Sequence, residues 1–433
     1  MNRFLKKISP GRLIALGFAA VIFLGTVLFM LPVSHAPGAE VSFTDALFTA
    51  TSAVCVTGLL TVDAGSTFSA FGQTVLLLLI QIGGLGITSI GVGLLALTGQ
   101  RLNFRERLLI KEALNYPTLK GVWSLIRLVL GFTFGVELAG AAATFCILMR
   151  EYSVGRAAWL SVFHSVAAFN NAGIDVFGQG NSLLPYAHDT AMNLVTSLLI
   201  ILGGIGFFVV RDLWIGRKTK RYTLHTRVVL AVTAVLLAAG TILIKITEGT
   251  SITWLGAFFA SVTARTAGFA TFSFGEFTRA GLLVMMVLMF IGASPGSTGG
   301  GMKTTTIFVA FASLRSASTN HPPEAFRRRI PEEAQHKAFV VLSLGLILVI
   351  AVSTLLCVLE PEMGMADILF ETVSAVATVG LSTGITADFG AAARIVLVLT
   401  MYIGRLGPLT IASLWVREPD TGVSLPEENL PIG

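Results

Sequence analysis

The chain has 433 residues, of which 54% are hydrophobic and only 12% charged, with mean hydropathy +0.80 and a formal net charge of +6. So little charge does not cover a soluble surface of this size, which excludes a soluble enzyme or binding module and makes the chain an integral membrane protein. The basic excess alone would suggest nucleic acid, but its distribution reports topology and predicts no nucleic-acid partner.

In chain order, apolar runs near 20 residues recur at roughly 11–33, 71–97, 121–149, 188–210, 226–247, 280–312, 338–359 and 391–416. Each is long enough to cross about 30 Å of hydrocarbon as a helix, which predicts eight crossings. Residues 1–30 carry no small-residue cleavage site, so no cleaved signal is expected. Of 30 Lys and Arg, 22 fall at the termini and at every second gap, from Arg3, Lys6, Lys7 and Arg12 to Arg417. That pattern predicts both ends in the cytoplasm. Cys55, Cys146 and Cys357 are scattered and show neither disulfide nor metal spacing.

The gaps on the opposite side hold related apolar stretches too short to span. LFTATSAVCVTGL (47–59), VFHSVAAFNNAGI (162–174), AFFASVTARTAGF (257–269) and LFETVSAVATVGL (369–381) align without gaps. Phe48, Phe163, Phe258 and Phe370 share one column, and Gly58, Gly173, Gly268 and Gly380 share another. Further on, IGGLG (82–86), LGGIG (202–206), IGASPG (291–296) and IGRLG (403–407) repeat as well, with Gly83, Gly203, Gly292 and Gly404 in register. Small residues in membrane helices commonly serve only close packing, but two motifs in four registered copies indicate an internal repeat.

The predicted fold is an all-α integral membrane protein of four membrane-pore-membrane repeats, with eight transmembrane helices and four re-entrant pore half-helices around a central pore. The repeats fall at 1–100, 101–217, 218–325 and 326–433. Non-helical backbone at membrane depth requires protein or a water-filled cavity around it, and a shared axis supplies that. Thr378-Val379-Gly380 has the sequence of potassium-channel filters, in which backbone carbonyls replace an ion's hydration shell. The sister positions are Val56-Thr57-Gly58, Asn171-Ala172-Gly173 and Thr266-Ala267-Gly268. Only the glycine is common to the four, as expected if carbonyls rather than side chains coordinate the ion.

IGASPGSTGGGMKTTT (291–306) approaches a nucleotide-binding loop but misses its spacing by one residue, with Met302 where the lysine belongs. Instead Pro295, Gly296, Gly299, Gly300 and Gly301 are expected to break the second span of repeat three, together with Ser294, Ser297 and Thr298, within a 292–304 segment lying across the conduction path as a gate. Arg405 takes the column of Gly84, Gly204 and Ala293, a full charge near mid-membrane, predicted to lie beneath the filter and to oppose cations or hold the gate's carbonyls. Lys303 is a second such candidate, the alternative being that it snorkels to the cytoplasm. Arg265 is expected to brace the third filter strand from behind, Glu137 to pair with a neighbouring donor, and His164 to be structural. Asp63, Asp175, Glu276 and Asp388 follow the four filters as candidate mouth carboxylates, or as ordinary loop acids. RRRIPEE (327–333) reads as a solvated loop, secondarily a docking patch. No paired carboxylate, nucleophile elbow or metal cluster points to an enzyme. A secondary transporter with inverted repeats is the main rival, against which the four units share one orientation.

RTAGF (265–269), TVGLS (378–382), SPGSTGGGMKT and GRLGPLT (404–410) are similar to motifs of the Trk/Ktr/HKT superfamily of potassium transporters, over essentially the whole chain. SPGRLIALGF (9–18) already opens the first repeat, so the resemblance is to the Ktr-type (KtrB-like) subunit rather than to Trk-type subunits with two additional N-terminal spans. The resemblance implies channel-like potassium uptake in the cell inner membrane, with K+ as the transported ion and no bound organic cofactor. Some sodium-favouring plant relatives have serine in the first filter, where this chain has Gly58. The alternative is a sodium-permeable or sodium-coupled cation transporter of the same fold. The resemblance further implies a homodimer on a cytosolic RCK-type regulatory ring that binds ATP/ADP, in contact with membrane lipid.

Overall fold

The structure, a computed structural model, describes residues 10–86, 122–217 and 221–407, apart from Gln179, Asn181 and Asn320. Within these, a long helix, a short helix and a second helix follow one another four times. The first such unit has helices Pro10–Phe29, Phe43–Cys55 and Ala70–Leu85, and the second has Val122–Leu148, Val154–Phe169 and Thr190–Gly204. The third has Leu224–Glu248, Trp254–Thr263 and Arg279–Phe290, and the fourth Glu332–Leu359, Met365–Ala377 and Ala391–Leu406. Two of the short helices begin at side-chain caps: Ser42 accepts from Asp45 N and Thr253 from Gly256 N, each satisfying an amide that helix geometry leaves orphaned.

In units one to three the short helix packs on its unit's first helix through small residues. A Cβ at Gly140 would meet Ser165 Oγ at 2.5 Å, and one at Gly25 would meet Ala50 Cβ at 3.3 Å, so glycine sets the approach distance. The outward faces remain apolar: Phe23, Leu138, Val235, Ile350 and Val358 are exposed, as a lipid-facing surface requires. Among the described residues four helices are long and apolar enough to cross a membrane: Gly11–Phe29, Ser124–Leu148, Leu224–Glu248 and Glu332–Leu359.

The second helices of units one, two and four depart from the sequence expectation of continuous spans, whereas the break after that of unit three was expected. At 12 to 16 residues the four second helices rise only about 18–24 Å, short of a full crossing. Three of them stop at the last glycine of the repeated motif, in one backbone conformation: Gly86 at φ 79°, ψ 137°, Gly206 at φ 93°, ψ 137° and Gly407 at φ 88°, ψ 135°. Left-handed torsions of this kind end a helix, and glycine adopts them without steric cost. After Gly206 the chain resumes as helix Phe207–Gly216, turned by 89°. The second unit therefore does not run straight through at the level where the third is broken. The expected spans 71–97 and 391–416, the Pro408–Thr410 end of GRLGPLT and the basic residues 101–120 extend outside the described residues. A two-stranded hairpin, Glu324–Ala325 with Arg328–Arg329, covers part of RRRIPEE and seats Ile330 against Val228.

Candidate functional site

The four short helices end in the same elbow. Val56, Asn171, Thr266 and Thr378 take φ of 55°, 58°, 65° and 50°, left-handed values that asparagine tolerates and the β-branched Val56, Thr266 and Thr378 resist. The left-handed residue reverses the chain so that the next amide reaches back into the helix end. Thr57 N donates to Ser52 O, Ala172 N to Ala167 O and Val379 N to Ser374 O, each at 2.8 Å, and Ala267 N donates to Thr263 O at 2.9 Å. Burial at 0% exposure holds these strained residues in place.

Two residues beyond them, Gly58, Gly173, Gly268 and Gly380 also have positive φ, of 106°, 62°, 83° and 92°. Their surroundings show how the strands meet. A Cβ on Gly58 would stand 2.7 Å from Ala172 O and 3.1 Å from Gly380 Cα. One on Gly173 would be 2.7 Å from Ala267 O, one on Gly268 2.6 Å from Val379 O, and one on Gly380 would run into Thr57 O. Each glycine thus abuts the carbonyl of the next strand, and the four close a ring. The ring is made of backbone; a side chain at any of the four positions would collide with a carbonyl while holding a left-handed torsion. Four helix C-termini end here, each carrying roughly half a negative charge, which favours a cation.

Above the ring lies a cavity of about 450 Å³, floored by the four glycines. Asp63, Asp175, Ser382, Thr383 and Thr386 line it, whereas Glu276 and Asp388 do not.

Below the ring lies the segment Ile291–Lys303, irregular between helices Arg279–Phe290 and Thr304–Thr319. Thr298 donates from N to Gly203 O at 3.3 Å and from Oγ1 to Phe169 O at 3.1 Å; Ser294 N donates to Gly204 O at 3.1 Å and Phe207 N to Gly296 O at 2.8 Å. Gly299 lies against Thr266 Oγ1 and Gly300 against Thr378 Oγ1, while a Cβ on Gly301 would stand 3.0 Å from Ala377 O. The loop therefore reaches the bases of strands two, three and four. Arg405 ties it to the first unit, donating from Nη1 to Thr298 O at 2.6 Å and from Nη2 to Gly83 O. Lys303 Nζ turns back onto Gly299 O at 2.7 Å and Gly300 O at 3.1 Å instead of reaching away from the loop. Two cationic side chains thus occupy the loop's carbonyls beneath the ring.

The repeated IG motif explains how the second helices sit so close. At Gly83, Gly203 and Gly404 a Cβ would run into Val54 O, Phe169 O and Val376 O, one equivalent carbonyl near the end of each short helix. Behind the ring, Glu137 takes Asn170 Nδ2 at 2.9 Å and Gln81 Nε2 at 3.3 Å, the donors the sequence did not name. His164 Nε2 bonds Thr196 Oγ1 at 2.8 Å. Arg265 is 7% exposed and its Nη1 has no hydrogen-bond partner. Sequence reasoning missed Glu371, fully buried behind the fourth strand, and the pair Arg394–Asp45 at 2.6 Å, which joins the fourth unit to the first. An acid inside an apolar half-helix is itself a signal, and Glu371 in LFETVSAVA carried it.

Short helices descending to a closed ring of backbone, beside several helices long and apolar enough to cross a membrane, define a polytopic membrane protein. Comparison with known proteins narrows the class. The family model for TrkH, cation transport protein, matches residues 18–421, and the chain belongs to that family. It is 38% identical to the potassium/sodium uptake protein NtpJ of Enterococcus hirae, covering 100% of this chain and 99% of that one. It is 36% identical to the Ktr system potassium uptake protein B of Bacillus subtilis, over 99% of this chain and 97% of the relative. The fold matches the crystal structure of the potassium transporter TrkH from Vibrio parahaemolyticus with TM-score 0.69, at 20% identity, over 92% of this chain and 84% of that one. The family and these relatives are ion transporters, not enzymes, and the resemblance to the Ktr type read from the motifs stands.

Proposed function

We propose that the chain is a potassium-uptake subunit of Ktr type, in which ions pass between four strands that act as a selectivity filter. The observation that carries this reading is the glycine ring: each of Gly58, Gly173, Gly268 and Gly380 abuts a carbonyl of the adjacent strand, so oxygens from four directions meet where four helix C-termini end. In this reading Val56-Thr57-Gly58, Asn171-Ala172-Gly173, Thr266-Ala267-Gly268 and Thr378-Val379-Gly380 line the path. The four units act as membrane-pore-membrane repeats, and ions collect in the cavity above.

Residues 294–301 form the gate. Lys303 and Arg405 hold Thr298, Gly299 and Gly300 by their carbonyls and place positive charge under the filter, where the low dielectric makes repulsion of an incoming cation strong. Opening requires these hydrogen bonds to break. Both termini are cytoplasmic in the inner membrane, and a homodimer sits on an RCK-type ring whose ATP/ADP occupancy drives the loop. Similarity to the potassium/sodium uptake protein of Enterococcus hirae favours a second reading, sodium passage alongside potassium.

Liposome flux tests the proposal. Reconstituted chain is expected to take up K+ and Rb+ down the electrochemical gradient, without fixed coupling to Na+, and to discriminate against Na+. Equal rates for the three ions would defeat the potassium assignment, and a fixed Na+:K+ stoichiometry would establish a coupled carrier.

A further inference from the structure

Of the groups behind the ring, Glu371 is the one whose contacts all lead back to a single strand. It lies on the short helix Met365–Ala377, with 0% exposure. Its carboxylate accepts three hydrogen bonds, from Ser382 Oγ, from Thr383 N at 3.2 Å and from Thr386 Oγ1 at 3.0 Å. All three donors lie just beyond Gly380, and all three residues line the cavity above the ring. Ser382 Oγ in turn accepts from Gly384 N at 2.8 Å and lies 2.9 Å from Thr386 Oγ1, so the segment is knit into one network around the acid.

Three residues along the same helix, and so on the same face, Ser374 Oγ accepts from Gly380 N at 3.0 Å. One face of one helix therefore grips the fourth strand on both sides of its glycine. The equivalent column in the other short helices holds Thr49, His164 and Phe259, and none of these is a carboxylate. No ion pair to Glu371 exists among the described residues, so its charge is met by the strand's own donors.

We propose that Glu371 is a specificity-determining positioning residue. By fixing Ser382–Thr386 from behind, it prevents the outer end of strand four from collapsing around an ion smaller than K+. The inference rests on the reading that the four strands form the filter. Flexible carbonyls adapt their spacing to whichever cation enters, whereas strands anchored at both ends do not. Removing the carboxylate leaves three donors without their acceptor, free to turn into the path.

The test is K+ and Na+ uptake into liposomes by Glu371→Ala and Glu371→Gln, with Gly380→Ser alongside. Glu371→Ala is expected to lower the K+/Na+ uptake ratio by about tenfold, chiefly through faster Na+ entry, which is the scale of losing hydrogen bonds to a charged acceptor. Glu371→Gln retains an acceptor oxygen and is expected to stay within about threefold of the parent. A residue of purely structural importance would lower the yield of folded protein without changing the ratio. If Glu371→Ala does not elute as a monodisperse species, the double variant Ser382→Ala/Thr386→Val removes the side-chain partners instead and must show the same fall in ratio. An unchanged ratio in the folded variant, while Gly380→Ser loses discrimination, overturns the role of Glu371 alone. Unchanged ratios in both overturn the filter reading with it.

Discussion

The four strands reach one geometry by two kinds of support. In units one and four the glycine amide is held from its own helix, Gly58 N by Ser52 Oγ and Gly380 N by Ser374 Oγ, each at 3.0 Å. In units two and three that column is Ala167 and Val262, which offer no acceptor. There the chain beyond the ring is held by other contacts: Thr263 Oγ1 donates to Phe269 O at 2.7 Å, Leu183 N to Ala270 O at 2.9 Å, and Ala270 N to Ser182 Oγ at 3.1 Å. Carboxylates follow the same division. Thr61 Oγ1 donates to Asp45 at 2.7 Å in unit one and Glu371 serves unit four, whereas the short helices of units two and three carry no acid and in unit two Asp175, beyond the ring, accepts from Phe177 N at 3.2 Å. Units one and four are the ends of the chain, and the pair Arg394–Asp45 spans 349 residues to close them. The middle units are held in order by chain continuity; the seam has no covalent link and relies on side-chain clasps, whose ordering entropy must be met by their bonds.

Breaking the geometry common to all four strands has the largest expected effect. Gly173→Ala or Gly380→Ser places a side chain against Ala267 O or Thr57 O, and K+ uptake should fall by about a hundredfold or more, since a left-handed non-glycine and a steric clash add. A variant that retained wild-type uptake would remove the ring from the conduction path. Next comes the loop beneath it. Arg405→Ala frees Thr298 O and Gly83 O and removes one buried charge, so uptake in the absence of any regulator should rise by about tenfold, the scale of a charge-assisted bond.

Smaller effects separate the two kinds of support. Ser374→Ala or Ser52→Ala should reduce K+/Na+ discrimination by about threefold, the scale of one neutral hydrogen bond. Ala167→Ser should leave it unchanged, because Gly173 is positioned without such an acceptor. The smallest effect on transport is expected at the seam. Arg394→Ala should lower stability by about 1–2 kcal/mol, between exposed and buried pairs, and be read as a fall in thermal midpoint with the uptake ratio preserved. The side chains there are 19% and 14% exposed, which is why neither limit applies.

Much of this arrangement was legible in the sequence because it rests on periodicity. Phe48 and Gly58 with their three sisters, and the registered IG motifs, are backbone requirements and therefore leave a residue signature. Gly86, Gly206 and Gly407 were visible in the same motif, but apolar run length favours continuous helix, and only their torsions reveal the stop. The partners of Glu137, the clasp of Asp45 by Arg394 and the grip of Glu371 on Ser382 and Thr386 were not legible. Each is a meeting of side chains whose sequence separation, up to 349 residues, carries no local pattern. Lys303 was readable as a cation at depth, yet its turn onto Gly299 O and Gly300 O depends on how the loop folds.

The central claim is that backbone oxygens of four strands coordinate the permeating ion. Crystals or grids prepared in Rb+ or Tl+ provide the direct measurement, since both ions substitute for K+ and are located by their scattering. The account predicts density on the line enclosed by Gly58, Gly173, Gly268 and Gly380, level with the carbonyls of Thr57, Ala172, Ala267 and Val379. Density confined to sites away from those carbonyls, with the ring unoccupied under conditions that support uptake, would contradict it.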